Sequence, residues 1–534
     1  MKRGCCTDTM PVRWCERCSI PIATARCERC GGTGQRLAHD LTPVFTEELR
    51  LLQERLGLGW PTVPSDFLLW CSGTDYFRNG VKYATLRYQA PSSPTLQVHD
   101  TASERTGPNQ PGGGRLLGRL LAGNRSHILS LEAEANEFVV QTAESYSGHV
   151  ITVAFSGGKD STVISHVVRR ALGTASVLHV FSDTTIEAPD TIAYIRRFRR
   201  DNRHTPFVVL RPDADFYDLC SRIGPPSRIL RWCCTSHKTA PMAALVSVLG
   251  RGNGVLTFDG IRASESVRRA RYDRVTTDHK IENEVLASPI RDWRDFDVWL
   301  YILSSGLSFN PAYRKGFRRV GCLPCPFNSH WSDYLTQVWY PARGAHWRAF
   351  LRDYARAVNH PEPDRFAEGG WRTRAGGRGL KHELASVNKE ACLREPATYS
   401  YTLATEWDDR FLEYLKPLGR LQVVYDDGVK LKIELVDVRD SACLAFLTVT
   451  RPRNAVRVSF LTDTNTRLAI QRFEKQIKRF QSCVLCGGCA SHCPCGAICL
   501  NGSYRVDASI CTGCKRCVRS RCVAAESLTL KGHG

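Results

Sequence analysis

Apolar and polar positions change their period several times along the chain, and each change marks an element. From about Leu129 the stretch LSLEAEANEFVVQTAESY spaces its apolar residues at helical intervals among acids. A continuous apolar run, VITVAF, then predicts a buried strand, and a helix opens near Asp160 with Val163, Ile164, Val167 and Val168 on one face. SVLHVF, ending at Ser182-Asp183-Thr184, and PFVVL supply two more strands. Strands alternating with helices predict βαβ units and a parallel sheet, an α/β core. After about residue 335 the pattern turns Trp- and Arg-rich and helical as far as GGWRTRAGGRG. LQVVYDD, VKLKIELVDV and AFLTVT then read as strands, and TRLAIQRFEKQIKRF as a basic helix, of a small α/β module. APSSPTLQVHDTASERTGPNQPGGGR has no period and reads as a flexible tether.

These changes divide the chain into a zinc ribbon (11–36), an accessory region with linker (37–124), an α/β domain (125–335), a helical extension (336–398), the small α/β module (399–480) and a cysteine-dense domain (481–530). At 534 residues and 43% hydrophobic, the chain can bury several cores, which excludes a mainly disordered protein. No run approaches the ~20 apolar residues of a membrane span, and MKRGCCTDTM lacks a signal-peptide core, so a cytoplasmic protein without a membrane partner is expected. In that reducing compartment 24 cysteines cannot be a disulfide framework. Most fall in CxxC pairs, whose thiolates converge on one metal; Cys71, Cys220, Cys392 and Cys443 stand alone and read as small buried hydrophobes. Cys5-Cys6 has no partner pair.

The run Cys483-x2-Cys486-x2-Cys489-x3-Cys493-Pro494 has the spacing of bacterial ferredoxins, and Cys511-x2-Cys514-x2-Cys517-x4-Cys522 repeats it after the hairpin ICLNGSYRVD. In two-cluster ferredoxins the fourth cysteine serves the other cluster. Cys483, Cys486, Cys489 and Cys522 are therefore expected to hold one [4Fe–4S] cluster, and Cys511, Cys514, Cys517 and Cys493 the second. Cys495 and Cys499 are spare. At the other end two CxxC knuckles, Cys15/Cys18 and Cys27/Cys30, predict tetrahedral Zn²⁺, stabilising a domain too small for its own core.

Ser156-Gly157-Gly158-Lys159-Asp160-Ser161 stands between a predicted strand and helix, where glycines let backbone amides approach an anion and the helix N-terminus adds partial positive charge. Its spacing is not that of GxxxxGK[ST]. SGGKDS resembles the PP-loop of the N-type ATP pyrophosphatases, which cleave ATP between the α- and β-phosphates. FSDTTIEAPDT, RWCCTSHKTAP, GIRASESVRRARY and SPIRDWRDFDVWLYI follow in the order of the phosphoadenosine phosphosulfate (PAPS) reductase motifs, so the resemblance covers residues 125–335. It implies an adenine nucleotide α-hydrolase-like sheet and a nucleotide site of Ser156, Gly157, Gly158, Lys159, Asp160, Ser161, Asp183, Lys238 and Arg262. By that similarity Lys238, Arg262 and Arg268 face phosphate or the activated group. With ATP and Mg²⁺ as cofactors, Lys159 would bind the pyrophosphate leaving group and Asp160 or Asp183 would help hold the metal. The expected catalytic residues are Lys159, Asp160, Asp183 and Arg262.

Cys233-Cys234 and Cys322-x2-Cys325 lie within this region, in RWCC and GCLPCP. In the adenylylsulfate-reducing branch of the family a CC pair with a CxxC holds a [4Fe–4S] cluster, and the resemblance implies the same here; zinc is the alternative, although adjacent cysteines strain a tetrahedral site. Two features depart from the reductases: the Lys-Asp of the loop, and the lack of an ECGLH-like segment. Both point to ATP-consuming chemistry, as in the DNA phosphorothioation and tRNA thiolation sulfurtransferases. The net charge of +20, concentrated in RRFRRDNR (196–203), RRARYDR (268–274) and RKGFRR (314–319), suits a polyanion. The leading expectation is an ATP-dependent sulfurtransferase that adenylates DNA or tRNA, with a cysteine desulfurase as sulfur donor and an external electron donor. The alternatives are a sulfonucleotide reductase and an iron–sulfur redox sensor that binds nucleic acid.

Overall fold

The computed structural model describes residues 10–59, 65–90, 93–99, 113–212, 214–250, 252–277, 281–374, 387–438, 441–450, 454–461, 466–520, 522–526 and 530–532. Its centre is a six-stranded sheet in the order Phe207–Leu210, Leu178–Ser182, Val150–Ala154, Val255–Phe258, Glu284–Ala287, Val275–Thr276. The first five strands are parallel and the last runs antiparallel at the edge. Val153, Leu256, Phe258 and Ala287 are buried because helices cover the sheet, which is why these strands read as unbroken apolar runs. Helix Lys159–Ala171 packs Val163, Ile164, Val167 and Val168 inward, and helices Arg125–Ser145 and Asp295–Ser304 close the same core. The chain reverses direction between Val150–Ala154 and Val255–Phe258. In a doubly wound sheet this switch point, at the carboxyl ends of the strands, is where a ligand sits.

The N-terminal strands Val12–Cys15, Ile20–Ile22 and Gln35–Ala38 form a small antiparallel sheet. Helix Gly113–Gly123 packs on it, and the buried Asn124 clamps the junction by donating to the Pro21 carbonyl at 3.1 Å and accepting from the Ala23 amide at 2.8 Å. A second sheet joins Thr42–Pro43, Trp70–Ser72, Asp75–Arg78, Val81–Ala90 and Ser93–Val98. The run read as a tether is thus corrected at its start: Ser93–Val98 pairs with Val81–Ala90, Leu96 facing Leu86 across the ladder, while residues 100–112 lie outside the described residues. Helix Thr46–Leu56 meets the α/β domain through ion pairs. Arg314 binds Glu47 at 2.8 Å and Asp66 at 3.1 Å, Arg318 binds the fully buried Glu48, and Lys315 binds Asp190 at 2.7 Å. The basic run 314–319 therefore has three of its cations paired internally, which corrects its reading as a polyanion surface.

The small module is larger than its expected bounds. Its sheet runs Arg420–Asp426, Lys430–Val436, Cys443–Thr450, Ala455–Phe460, Thr398–Thr402, Val387–Ala391, Leu530–Gly532. The boundary expected at residue 399 moves to 387, because Val387–Ala391 pairs with Thr398–Thr402, and the last strand arrives from beyond the cysteine runs. Phe473 and Ile477 of helix Thr466–Ser482 share one core with Ile498, Tyr504, Val506 and Val518, so module and cysteine-dense segment fold as one body. Residues 375–379 of GGWRTRAGGRG lie outside the described residues, as does Cys5-Cys6. No described helix is long and apolar enough to cross a membrane.

Candidate functional site

The loop after Val150–Ala154 is shaped before any ligand arrives. Gly157 has φ +73°, and a Cβ there would stand 3.2 Å from Ile195 and 3.3 Å from Thr191, so both backbone sign and space require glycine. Asn310 donates to the Gly157 carbonyl at 3.1 Å, and the Lys159 amide donates to the Tyr313 hydroxyl at 2.9 Å. Ser161 and Thr162 hydroxyls return to the Gly158 carbonyl, fixing the first turn of the helix, and Ser156 remains exposed at the mouth.

Beneath the loop lies a four-membered ion cluster. Lys159, 4% exposed, places its ammonium 3.1 Å from Asp160 and 2.9 Å from Asp295. Arg262, 2% exposed, donates to Asp160 at 2.7 Å and to Asp295 at 2.5 Å. Burial opposes the ionised form of all four groups, but the opposite charges win: the Lys159 and Arg262 pKa values rise, and that of Asp295 falls to about 2. Asp295 is fixed in turn by Asp40, whose carboxylate accepts from the Asp295 and Phe296 amides at 2.8 and 2.9 Å at the start of a helix. Burial, with Asp295 nearby, pushes Asp40 up to about 6.

Asp183, at the end of the neighbouring strand, accepts from the Thr185 amide at 3.0 Å and from Arg211 at 3.0 Å. The next residue bridges to the cysteine site: the Thr184 hydroxyl donates to Glu187 at 2.9 Å and lies 3.3 Å from the Cys322 sulfur. Cys233 and Cys234 end a short helix that continues as a π-turn, Thr235–Thr239, a rare geometry associated with functional sites. Lys238, on that turn, is held protonated by Cys322 first, then by Glu187, Cys234 and Cys325. Arg231 lies 3.7 Å from the Cys234 sulfur. A hydrogen bond from Cys233 is the main cause that lowers Cys234 to about 5, while burial pushes Cys322 up to about 12. The structure thus brings together all four central cysteines, Lys238 and the strand end carrying Asp183. Arg262 faces Asp160 and Asp295, and Arg268 is exposed on a separate turn.

Two further thiol sets gather at the C-terminus. Cys486 and Cys489 are raised chiefly by burial and also by each other's sets: Cys522 and Cys483 beside Cys486, and Cys486, Cys483 and Cys522 beside Cys489. Cys517 is likewise pushed up to about 12 by burial, with Cys493, Cys514 and Cys511 around it. The first set abuts the central one. A Cβ on Gly487 would stand 2.4 Å from Ala240 Cβ and one on Gly488 2.8 Å from Thr235, so glycines let this run seat on the turn after Cys234. Cys233, Cys322, Cys486 and Cys522 border one apolar cluster built on Phe216, Trp232 and Val484.

The donor sets differ in spacing. A tetrahedral zinc with bonds of about 2.3 Å holds its thiolates about 3.8 Å apart. The N-terminal pairs have that separation: Cys15 to Cys30 is 3.5 Å, Cys18 to Cys27 is 3.8 Å, and all four sulfurs lie within 4.8 Å of one another. Among the described residues no three thiols of the central or C-terminal sets approach that closely. Each cysteine set can hold metal. Of the isolated cysteines, Cys71 and Cys220 are buried, and Cys392 and Cys443 only partly so.

Residues 150–328 match the phosphoadenosine phosphosulfate reductase domain family. This segment, a third of the chain, resembles a PAPS reductase domain. An uncharacterized protein of Methanocaldococcus jannaschii is 32% identical to the chain over 241 residues, 45% of this chain and 49% of that protein. The chain spans about half the length of that relative and 58% of a second from the same organism. An adenosine 5'-phosphosulfate reductase of Streptomyces coelicolor is 28% identical over 196 residues, 36% of this chain and 78% of the relative. A crystal structure of phosphoadenylyl-sulfate reductase from Candida auris aligns at TM-score 0.28 and 16% identity, over 37% of this chain and 95% of that one. Within the matched segment, sequence reasoning missed Asp295, Asn310 and Tyr313 as loop supports. Asp295 had been quoted inside SPIRDWRDFDVWLYI, whose acids gave the available signal. Asp40 lies in the N-terminal region and had none.

Proposed function

We propose that the chain is an enzyme of sulfonucleotide chemistry that reductively cleaves an adenylylsulfate-type substrate to sulfite and the nucleoside monophosphate. The observation that carries this reading is the seating of the first C-terminal cysteine run on the turn after Cys233 and Cys234. Adenylation by ATP consumes no electrons, whereas taking sulfur from the sulfate to the sulfite level consumes two. The substrate's O–S bond breaks, its oxygen leaves with the nucleoside phosphate, and two electrons from an external low-potential one-electron donor remain on sulfur. The relatives named adenosine 5'-phosphosulfate reductase support the same reading.

The sequence spacing of the cysteines suits iron–sulfur cores at Cys233/Cys234/Cys322/Cys325, at Cys483/Cys486/Cys489/Cys522 and at Cys493/Cys511/Cys514/Cys517, and four sulfurs within 4.8 Å of one another suit Zn²⁺ at Cys15/Cys18/Cys27/Cys30. When bound, [4Fe–4S] clusters supply one-electron transfer. The loop amides and the N-terminus of helix Lys159–Ala171 receive the anionic end of the nucleotide. Lys159 and Arg262 hold that loop from below through Asp160 and Asp295. Lys238 and Arg231 offset negative charge beside the thiols, where sulfite charge develops.

A second reading, ATP-dependent sulfur transfer to DNA or tRNA, is favoured by Asp160 and Asp183. Both acids flank the loop and suit Mg²⁺, and Arg196 and Arg199 lie exposed on helix Pro189–Asp201. A cysteine desulfurase would then be the partner. The test is turnover of adenylylsulfate with dithionite under anaerobic conditions and without ATP. Equal amounts of sulfite and AMP support the first reading; no turnover, with pyrophosphate and a thiolated nucleotide formed from ATP, a persulfide donor and nucleic acid, establishes the second.

A further inference from the structure

The second C-terminal thiol set contains one thiol too many. A small pocket of about 10 Å³ is lined by five cysteines, Cys493, Cys495, Cys511, Cys514 and Cys517, with Pro417, Ala497, Ile498, Val506, Thr512 and Lys515 around them. A cubane cluster has four irons and takes one thiolate on each, with the four ligands diverging from different corners. Cys511, Cys514 and Cys517 occupy three of these places by their spacing. The remaining corner has two claimants: the Cys493 and Cys495 sulfurs lie 3.7 Å apart, in direct contact. Two thiolates that touch cannot serve two diverging corners, so one of them ligates and the other does not.

Backbone amides face both sulfurs: those of Ala497 and Cys495 face each, and the Thr512 amide adds a further donor to Cys495. Pro494 between them has a fixed φ, which keeps the two side chains on one stiff turn rather than letting one swing away. Both residues are partly buried against the same core as Cys511. The ferredoxin spacing names Cys493 as the fourth ligand on sequence grounds alone.

We propose that Cys493 and Cys495 alternate as the fourth thiolate of this site, so that a free thiol always stands beside the cluster. The inference rests on the reading that the set holds a [4Fe–4S] cluster. The experiment uses the full chain, reconstituted anaerobically with iron and sulfide, as wild type and as Cys493→Ala, Cys495→Ala and the double variant. Each single variant is expected to keep the wild-type iron content and the EPR signal of the reduced second cluster, and the double variant to lose about four irons per chain. Cys514→Ala, which removes a ligand with no substitute, should lose the same four. In the native holoprotein, iodoacetamide followed by peptide mass spectrometry should find one label shared between positions 493 and 495.

Loss of the four irons in Cys493→Ala alone, or in Cys495→Ala alone, would assign a fixed ligand and overturn the proposal, as would a label confined to one position. If Cys514→Ala also leaves iron unchanged, the cluster reading itself fails, and the two failures are thereby distinguished. Unchanged zinc content in every variant checks that the rest of the chain remains folded.

Discussion

Asp295→Asn tests the ion cluster under the nucleotide loop most directly. The carboxylate receives Lys159 at 2.9 Å and Arg262 at 2.5 Å, and the amide would leave two buried cations facing Asp160 alone. The depression of Asp295 from 3.8 to about 2 corresponds, at 1.36 kcal/mol per unit, to about 2–3 kcal/mol. Removing one partner of a buried pair typically costs about 3–5 kcal/mol. Because the Asp295 side chain keeps 30% exposure, the lower figure is the better guide. At about 2–4 °C per kcal/mol for a domain of this size, the melting transition of the α/β domain should fall by about 5–10 °C at pH 7. The folded-state pKa is depressed, so the stabilisation is present above the unfolded value near 3.8 and is lost as pH falls towards 2. Calorimetry of both proteins between pH 7 and pH 3 should show the gap constant down to about pH 5 and narrowing below. A shift under 2 °C at pH 7, or a gap that widens on acidification, would refute the reasoning.

Three other outcomes follow from the same geometry. Lys159→Ala leaves Asp160 and Asp295 with one cation instead of two, and calorimetric titration should show adenylylsulfate binding weakened at least tenfold; unchanged affinity removes the loop from the substrate site. Gly488→Val drives a side chain into Thr235, 2.8 Å away from the first added carbon, and should cut dithionite-driven sulfite release at least tenfold without changing iron content. A full rate in that variant would separate the cysteine run from the chemistry. His179 is wholly buried, and desolvation pushes its imidazole down to about 4, so the stability it allows is present above pH 6.5 and is lost as pH falls from there towards 4. Across that window wild type should lose about 3 kcal/mol more than His179→Gln; parallel profiles would refute the assignment.

The elements with a strong local pattern were legible in the sequence. VITVAF, SVLHVF and PFVVL are largely apolar because helices cover their sheet, and the glycine turn between strand and helix is dictated by the φ of Gly157. The cysteine spacings likewise announced their sets, because neighbouring ligands on a tight turn leave a period in the chain. What stayed hidden depends on pairing between distant segments. Ser93–Val98 lies in a Ser- and Pro-rich stretch whose strand character comes from its partner Val81–Ala90. Asp40 acts 255 residues away on the amide of Asp295, and no local signal marks such a contact. The basic run at 314–319 looked like a free surface only because its acids, Glu47, Glu48 and Asp66, come from a helix and loop far upstream.

The strand Leu530–Gly532 returns to pair with Val387–Ala391, so the cysteine runs are anchored on both sides rather than hung from one end. A carrier domain on a single leash shuttles between partners, and its throughput depends on leash length and crowding. A segment stitched into a sheet at entry and exit has no such freedom. Its distance to the central thiols is a property of the fold, set once during folding. Recombination could not exchange this segment without rebuilding the sheet that carries it.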